Sequence, residues 1–157
     1  MKLFIAADHA GFELKQRIIE KFHKKVQIED LGTQSTESCD YPIYAQKLCE
    51  RLLSEESTFV GSASAKPTVL GLLICGTGIG MSIAANKIKG IRAAAVSDVV
   101  SARMAREHNN CQVLCLGARI LEIGRSSECL QAFLDAKFDT ANPRHQRRID
   151  EIAELEK

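Results

Sequence analysis

The sequence predicts an α/β fold built on a parallel β-sheet. Short apolar runs, partly β-branched, alternate with longer stretches of helical periodicity, which is typical of repeated strand–helix units. The run Val69–Cys75 is nearly all apolar, as expected of a central strand covered on both faces. A length of 157 residues with 45% hydrophobic residues is enough for a single domain, residues 1–157, with its own core.

These patterns define five strands and six helices. In order they are a strand at Lys2–Ala7, a helix at Phe12–Lys24, a strand at Val26–Leu31, a helix at Pro42–Leu53, a strand at Val69–Cys75, a helix at Ile79–Ile88, a strand at Arg92–Val96, a helix at Asp98–His108, a strand at Val113–Leu116, a helix at Arg125–Ala136 and a helix from Pro143 to near Lys157. In the first helix Leu14, Ile18 and Phe22 recur every four residues and form the stripe expected to face the sheet.

Two prolines mark predicted helix starts, and one polar segment is predicted to be a loop. Pro42 lies near the first turn of the second helix, and Asn142 followed by Pro143 reads as a cap and first residue of the last helix. The segment Glu55–Lys66, rich in Ser, Ala and Glu, is interpreted as a loop. Because ligands bind beyond the carboxyl ends of the strands in open α/β sheets, the strand-to-helix turns are the places to search for a site.

Charge and cysteine content argue against several protein classes. The 21 basic and 20 acidic side chains give a net charge of +1, which argues against binding to nucleic acid or to a membrane surface. The six cysteines form no C-x-x-C pair and are interpreted as thiols, so no metal site is expected. Because the N-terminus shows no signal-peptide pattern, we expect a cytoplasmic protein, with an organellar pool left open.

A glycine-rich turn follows the strand Val69–Cys75. It reads CGTGIGM from Cys75 to Met81, and such glycines let backbone N–H groups crowd toward an anion at a helix N-terminus. It is neither a dinucleotide fingerprint, because position 81 is Met, nor a P-loop, because Gly-Lys-Ser/Thr is missing. A helix N-terminus favours a thiolate at Cys75, which could act as nucleophile or proton acceptor. The alternatives are a packing turn and a buried structural thiol.

Three further titratable residues stand out. Asp8 and His9 follow the first strand, so they are expected at the same sheet edge as Cys75; the alternative makes Asp8 a helix N-cap and His9 an exposed loop residue. His108 ends a predicted helix, where the dipole favours the protonated imidazole that a proton donor needs, although such histidines are often only caps.

In the last helix the charged side chains are arranged unfavourably with respect to the helix dipole. Arg144 and Arg148 lie one turn apart near its N-terminus, where each cation costs roughly 0.3 to 1 kcal/mol, and Glu151 and Glu154 follow toward its C-terminus. A bound phosphate would offset this cost, because guanidinium groups form charge-assisted hydrogen bonds with it. The alternative is a solvated basic turn paired with Asp150 and Glu151.

Seven short motifs are spread over nearly the whole chain. They are Asp8-His9-Ala10-Gly11, the segment from Ile74 to Ser82, Ala85-Asn86-Lys87, Gly90-Ile91-Arg92-Ala93, His108-Asn109-Asn110, Leu116-Gly117-Ala118-Arg119 and the segment from Arg144 to Arg148. In order and spacing they resemble type B ribose-5-phosphate isomerase. The resemblance implies a Rossmann-like three-layer sandwich with a five-stranded parallel sheet and a C-terminal helix. It also implies homodimers, or in some cases tetramers, with the active site between subunits.

The same resemblance implies an activity and roles for residues. The chain would interconvert D-ribose 5-phosphate and D-ribulose 5-phosphate through an enediolate, in the non-oxidative pentose phosphate pathway, without a cofactor. Cys75 would move the proton between C2 and C1, Thr77 would help shift protons between the oxygens, and His108 with Asp8 would open the furanose ring. The anion hole and the contacts to sugar or phosphate would come from Gly76, Gly78, Ile79, Gly80, His9, Tyr44, Asn109, Arg119, Arg144 and Arg148.

Other functions stay open at this point. Met81 stands where some members of the family use a glutamate, which indicates the subtype with a cysteine base. A related isomerase could act on a six-carbon sugar phosphate, such as allose or galactose 6-phosphate. A non-catalytic sugar-phosphate binding module would use the arginines and glycines without the cysteine. A thiol redox protein ranks last, since no cysteine lies close to Cys75 in sequence.

Overall fold

The computed structural model describes residues 1–56 and 69–157, which form a parallel sheet between two layers of helices. The strands are β1 at Lys2–Ala7, β2 at Gln27–Asp30, β3 at Val69–Cys75, β4 at Ala93–Ala95 and β5 at Val113–Gly117. Their order is β2-β1-β3-β5-β4, and all four pairings are parallel. This confirms the predicted α/β fold, while most of the predicted loop Glu55–Lys66 lies outside the described residues.

Six helices in the described part of the chain cover the sheet. They are α1 at Phe12–Phe22, α2 at Tyr41–Glu56, α3 at Ile79–Ala85, α4 at Val99–Glu107, α5 at Ile123–Asp135 and α6 at Pro143–Glu154. The buried residues of α1, α4 and α5 form one apolar cluster with one face of the sheet, and those of α2 and α3 form a second cluster with the other face. None of the described helices is both long enough and apolar enough to span a membrane.

Several predicted boundaries were wrong by a few residues. The first helix ends at Phe22 because the next residues form a turn, in which the amides of Lys25 and Val26 both donate to the Phe22 carbonyl. Helix α2 begins one residue before Pro42 and runs to Glu56.

The helix predicted at Ile79–Ile88 stops at Ala85, after which the amides of Lys87 and Ile88 donate only three residues back, as in a turn. The C-cap residue Asn86 directs its side chain toward β4. Its Oδ1 accepts from the Ala93 amide at 2.9 Å and its Nδ2 donates to the Ala93 carbonyl at 2.8 Å. Asn86 therefore binds β4 to the end of α3, and β4 itself is reduced to three residues.

The turns after three strands meet at one edge of the sheet. Ala7 pairs with Ile74, and Cys75 pairs with Gly117, so β1, β3 and β5 end side by side. The next residues continue the contact, since the Asp8 amide donates to the Ile74 carbonyl at 3.2 Å and the Ala118 amide to the Cys75 carbonyl at 2.8 Å. The chain runs from β1 to β2 in one direction and to β3 in the other, which makes this edge the topological switch point where α/β proteins bind ligands.

Candidate active site

A cavity of about 370 Å³ opens at the carboxyl edge of the sheet. It is lined by Asp8, Tyr41, Cys75, Gly76, Thr77, Ile79, Gly80, Ile83 and Arg119. Seven of these residues were predicted as site residues from the sequence, namely Asp8, Cys75, Gly76, Thr77, Ile79, Gly80 and Arg119. They lie at or directly after the ends of β1, β3 and β5. The parallel pairing of β1, β3 and β5 brings these turns to one edge, as expected from the strand ends in the sequence.

Cys75 is the last residue of β3 and faces the glycine turn. Its side chain is almost buried, with 5% of the residue exposed, and its Sγ accepts a hydrogen bond from the Gly78 amide at 3.2 Å. Gly78 adopts a left-handed conformation with φ of 78°, which is unfavourable for residues with a Cβ and directs this amide back toward the sulfur. An N–H donor at the start of a helix stabilises a thiolate, so this geometry suits a proton acceptor.

The other core cysteines lie in a different environment. Burial raises the pKa of Cys49 to about 12 and that of Cys111 to about 11, and it raises the pKa of Cys115 well above the usual value. These three remain protonated thiols near neutral pH and are interpreted as packing residues.

Asp8 combines the two functions considered from the sequence. Its Oδ1 accepts from the amides of Ala10 and Gly11 at 3.0 Å each, so it caps the short 3-10 turn His9–Gly11 that precedes α1. Its Oδ2 makes no hydrogen bond with any described residue, and Asp8 also lines the cavity. One carboxylate oxygen is thus structural, and the other is available to a ligand.

His9 is half-buried and held by the backbone of the β2–α2 loop. The Cys39 amide donates to its Nδ1 at 3.2 Å. A neutral imidazole that accepts at Nδ1 carries its proton on Nε2, so His9 can donate one hydrogen bond from that nitrogen.

Two glycines let larger side chains approach the turn. A Cβ on Gly76 would lie 3.3 Å from Nη1 of Arg119, and a Cβ on Gly80 would lie 2.7 Å from Cζ of Tyr41. Thr77 between them is exposed, and its Oγ1 accepts from the Ile79 amide at 3.4 Å. The glycines therefore set how closely the guanidinium and the phenol ring can line the cavity.

Tyr41 and Ile83 are the lining residues that sequence reasoning missed. The predicted Tyr44 lies one helical turn after Tyr41 and packs, partly buried, against the core cluster of α2 and α3. Tyr44 was expected from the family resemblance, and the one sequence signal for Tyr41 is its place at the start of the helix that follows β2.

The remaining predicted residues lie at the opposite, amino edge of the sheet. His108 caps the C-terminus of α4, and its ring stacks on that of His145 with a centroid distance of 4.4 Å and an angle of 10° between the planes. The Asn109 and Asn110 carbonyls accept hydrogen bonds from the Arg92 guanidinium at 3.0 and 2.9 Å, and Asn110 has a left-handed φ of 45°. Arg92 therefore fixes the loop that carries His108 and Asn109.

Arg144 and Arg148 are exposed at the start of α6. The predicted alternative paired them with Asp150 and Glu151, but Asp150 accepts from Gln146 at 2.7 Å and Glu151 pairs with Arg147 at 3.7 Å. Across residues 1–56 and 69–157, no ion pair involves Arg144 or Arg148, so both guanidinium groups are available to an anion.

The two groups of residues cannot contact one small ligand within a single chain. Cys75 and Arg119 follow the carboxyl ends of β3 and β5, whereas His108 precedes the amino end of β5. At about 3.3 Å per residue, the length of β5 puts roughly 15 Å of strand between the two edges. Within the described ranges, no group of three or more His, Cys, Asp or Glu side chains is arranged to hold a metal ion.

Comparison with known proteins finds close similarity along the chain. Residues 3–152 match the family model described as Ribose/Galactose Isomerase. The ribose-5-phosphate isomerase B of Escherichia coli is 36% identical over 156 residues, which cover 99% of this chain and 96% of that protein.

Solved structures give the same result. That of Clostridium thermocellum ribose-5-phosphate isomerase B is 38% identical with a TM-score of 0.88, covering 99% of this chain and 97% of the other. That of the Mycoplasma genitalium enzyme with bound ribulose-5-phosphate is 38% identical with a TM-score of 0.86, covering 99% and 95%. The matched region contains the candidate residues of both sheet edges.

Proposed function

This chain belongs to the ribose/galactose isomerase family, and from that premise we propose that it interconverts D-ribose 5-phosphate and D-ribulose 5-phosphate. The observation that carries the proposal is the position of Cys75. Its Sγ accepts a hydrogen bond from the Gly78 amide, and it lines a cavity together with Asp8 and Thr77. Its metabolic place would be the non-oxidative pentose phosphate pathway.

The proton transfer needs one base and fixed donors for the developing oxygen charge. Cys75 as thiolate would take the proton from C2 of the open-chain aldose and return it to C1, through an enediolate. Over the same step the proton of the C2 hydroxyl moves to O1, with Thr77 as the carrier. The amides of the turn from Gly76 to Gly80 would stabilise the negative oxygens, because oriented N–H groups stabilise charge where it develops.

Ring opening precedes this step. The furanose opens when the ring oxygen gains a proton and the C1 hydroxyl loses one, and we assign this exchange to His108 and Asp8. The free Oδ2 of Asp8 and the unbonded ring nitrogens of His108 suit such a role. Because these residues lie at opposite sheet edges, one of them must come from a second copy of the chain.

A homodimer with a shared site would join the two edges. Arg144 and Arg148 of one copy would bind the phosphate of a sugar held at the Cys75 cavity of the other, with His9, Asn109 and Arg119 as further contacts. Tyr41, which lines the cavity, is a stronger candidate than Tyr44 for the contact beside the sugar ring. The exposed Ile79 and Ile83 next to the cavity give the second copy an apolar surface to cover. Pairs of dimers would give the tetramer.

The test is conversion of ribose 5-phosphate by the purified chain, without added metal, beside the Cys75→Ala variant. A positioned general base contributes about 10²- to 10⁴-fold, so we expect kcat to fall by roughly that factor. Cys129→Ala, which removes a thiol from the opposite helical layer, serves as the control and should keep normal turnover.

Three outcomes would contradict the proposal. Normal turnover by Cys75→Ala would show that Cys75 is not the general base. Turnover of allose 6-phosphate or galactose 6-phosphate without turnover of ribose 5-phosphate would change the substrate to a six-carbon sugar. Binding of ribose 5-phosphate with no turnover of any of the three would leave a binding module.

A further inference from the structure

His145 has no assigned role, yet it is the residue in closest ring contact with His108. The two imidazoles are nearly parallel, at 10°, with centroids 4.4 Å apart. We propose that His145 is the positioning residue of His108, and that its ring fixes the plane in which His108 meets the sugar. The inference rests on the proposed function, because it concerns the step in which His108 opens the furanose ring.

Within residues 1–56 and 69–157, stacking on His145 is the contact that orients the ring of His108. Among the residues that the structure describes, neither of its ring nitrogens makes a hydrogen bond, and its backbone amide donates to Met104 at 2.9 Å as part of α4. Histidines in active sites are usually oriented by a hydrogen bond at one ring nitrogen, which uses that nitrogen. Stacking holds the plane of His108 and leaves both nitrogens available for proton exchange with the substrate.

His145 is itself rigidly held. Only 6% of the residue is exposed, and its amide donates to the Asn142 carbonyl at 3.0 Å in the first turn of α6. Ile149, one turn later, is also buried, so this face of α6 is anchored in the protein. A side chain fixed in this way can serve as a support for a neighbouring ring.

Asp139 connects this support back to the end of α4. Its Oδ2 lies 3.7 Å from Nε2 of His145, and its Oδ1 accepts from the Ala141 amide at 3.0 Å. Its own amide donates to the carbonyl of Glu107, the residue before His108, at 2.9 Å. These contacts link Glu107 to Asp139, Asp139 to His145 and His145 to His108. They therefore connect the imidazole of His108 to the end of its own helix, α4.

The substrate chemistry offers a readout that separates ring opening from proton transfer. Ribulose 5-phosphate has its O5 esterified, so it cannot close a five-membered ring on C2 and enters the site as an open chain. In D₂O, removal and return of a C1 proton exchanges hydrogen for deuterium in ribulose 5-phosphate without any ring step. A residue that acts through His108 should affect isomerisation of ribose 5-phosphate but spare this exchange.

The experiment compares the wild type with His145→Ala and His145→Phe in both assays. Misplacement of a catalytic group by about 1 Å can cost about 10²-fold, so we expect His145→Ala to lower kcat for ribose 5-phosphate by roughly 10- to 100-fold, with KM changed less than about threefold. Exchange into ribulose 5-phosphate should stay within about threefold of wild type, which also shows that the variant is folded. His145→Phe keeps a planar ring and should recover most of the lost kcat.

A second histidine provides the matched control. His23 is exposed at the end of α1, and its Nδ1 hydrogen-bonds to the Glu20 carbonyl one turn earlier, far from the candidate site, so His23→Ala should leave both assays unchanged.

Three outcomes would overturn the inference. They are wild-type kcat in His145→Ala, loss of exchange together with isomerisation in that variant, and a His145→Phe variant as slow as His145→Ala. A wild-type chain that is inactive in both assays would instead refute the proposed function, and this inference with it.

Discussion

The carboxyl edge and the amino edge of the sheet each carry part of the candidate site, but they are built differently. At the carboxyl edge the backbone does most of the positioning, since the amides of Gly78, Ala10 and Gly11 hold Cys75 and Asp8. At the amino edge side chains do it, with Arg92 holding the loop and His145 stacking on His108.

The difference explains what each edge contributes to chemistry. Backbone amides fixed by paired strands form a rigid anion-stabilising turn, which suits proton transfer at the sugar carbons. Side chains at helix ends are placed by contacts between distant segments, and here Arg144 and Arg148 are exposed while His108 is partly exposed. His108, Arg144 and Arg148 line no part of the Cys75 cavity, so under the proposed function they act on a substrate held by another copy.

The largest expected effect is the recovery of activity when two variants, one altered at each edge, form mixed dimers. At subsaturating substrate Cys75→Ala alone should retain about 1% of activity or less, and Arg148→Ala alone about 1 to 10%. When both variants are co-expressed, half of the dimers are mixed and one of their two sites is intact, so activity should rise to about a quarter of wild type. Steady-state assay of the purified mixture measures this, and activity no greater than that of the separate variants would place both residues in one chain.

The arginines at the amino edge should show the next largest effect. Hydrogen bonds to charged groups contribute about 1.5 to 3 kcal/mol, so Arg144→Ala and Arg148→Ala should each lower kcat/KM for ribose 5-phosphate by roughly 10- to 100-fold. Arg147→Ala is the control on the same helix, because Arg147 is exposed and paired with Glu151, and it should change little. Equal losses in all three variants would point to a general charge effect.

A smaller effect is expected from the glycine turn. In Gly80→Ala the new Cβ would lie 2.7 Å from the Tyr41 ring, so the ring must move out of its place in the cavity. We expect kcat/KM to fall by up to about tenfold with little change in fold. Gly124→Ala is the matched control, because nothing lies within 4 Å of its Cβ, and it should raise the free energy of unfolding by up to about 1 kcal/mol. An unchanged Gly80→Ala would show that Tyr41 does not shape the site.

The buried thiols should have the smallest effect on activity. At pH 9 their raised pKa values of about 11 for Cys111 and about 12 for Cys49 leave about 1% or less as thiolate. Iodoacetamide should therefore label Cys75, which lines the cavity, and the half-buried Cys39, but not these two. Peptide mapping by mass spectrometry measures the labelling, and rapid modification of Cys49 in the folded chain would contradict the burial of α2 against the sheet.

Much of the carboxyl edge could be predicted from the sequence, because strand ends and glycine turns are local patterns and parallel pairing brings them together. Asp8 and Cys75 were identified in this way. Tyr44 was expected from the family resemblance, whereas Tyr41 lines the cavity through its contact with Gly80, which lies far from it in sequence and follows no local pattern. The stacking of His145 on His108 joins segments 37 positions apart in the numbering, and no local pattern encodes such a contact.

The strand order has a consequence for how the chain assembles. Strand β4 precedes β5 in the chain but pairs only with β5, which inserts between β3 and β4. During synthesis β4 therefore has no strand partner until residues 113–117 have emerged, and a parallel insertion of this kind is slow because its contacts are non-local. In the finished sheet β4 is the last strand, and the side chain of Asn86 bonds both backbone groups of Ala93, so these two groups cannot pair with a strand of another chain.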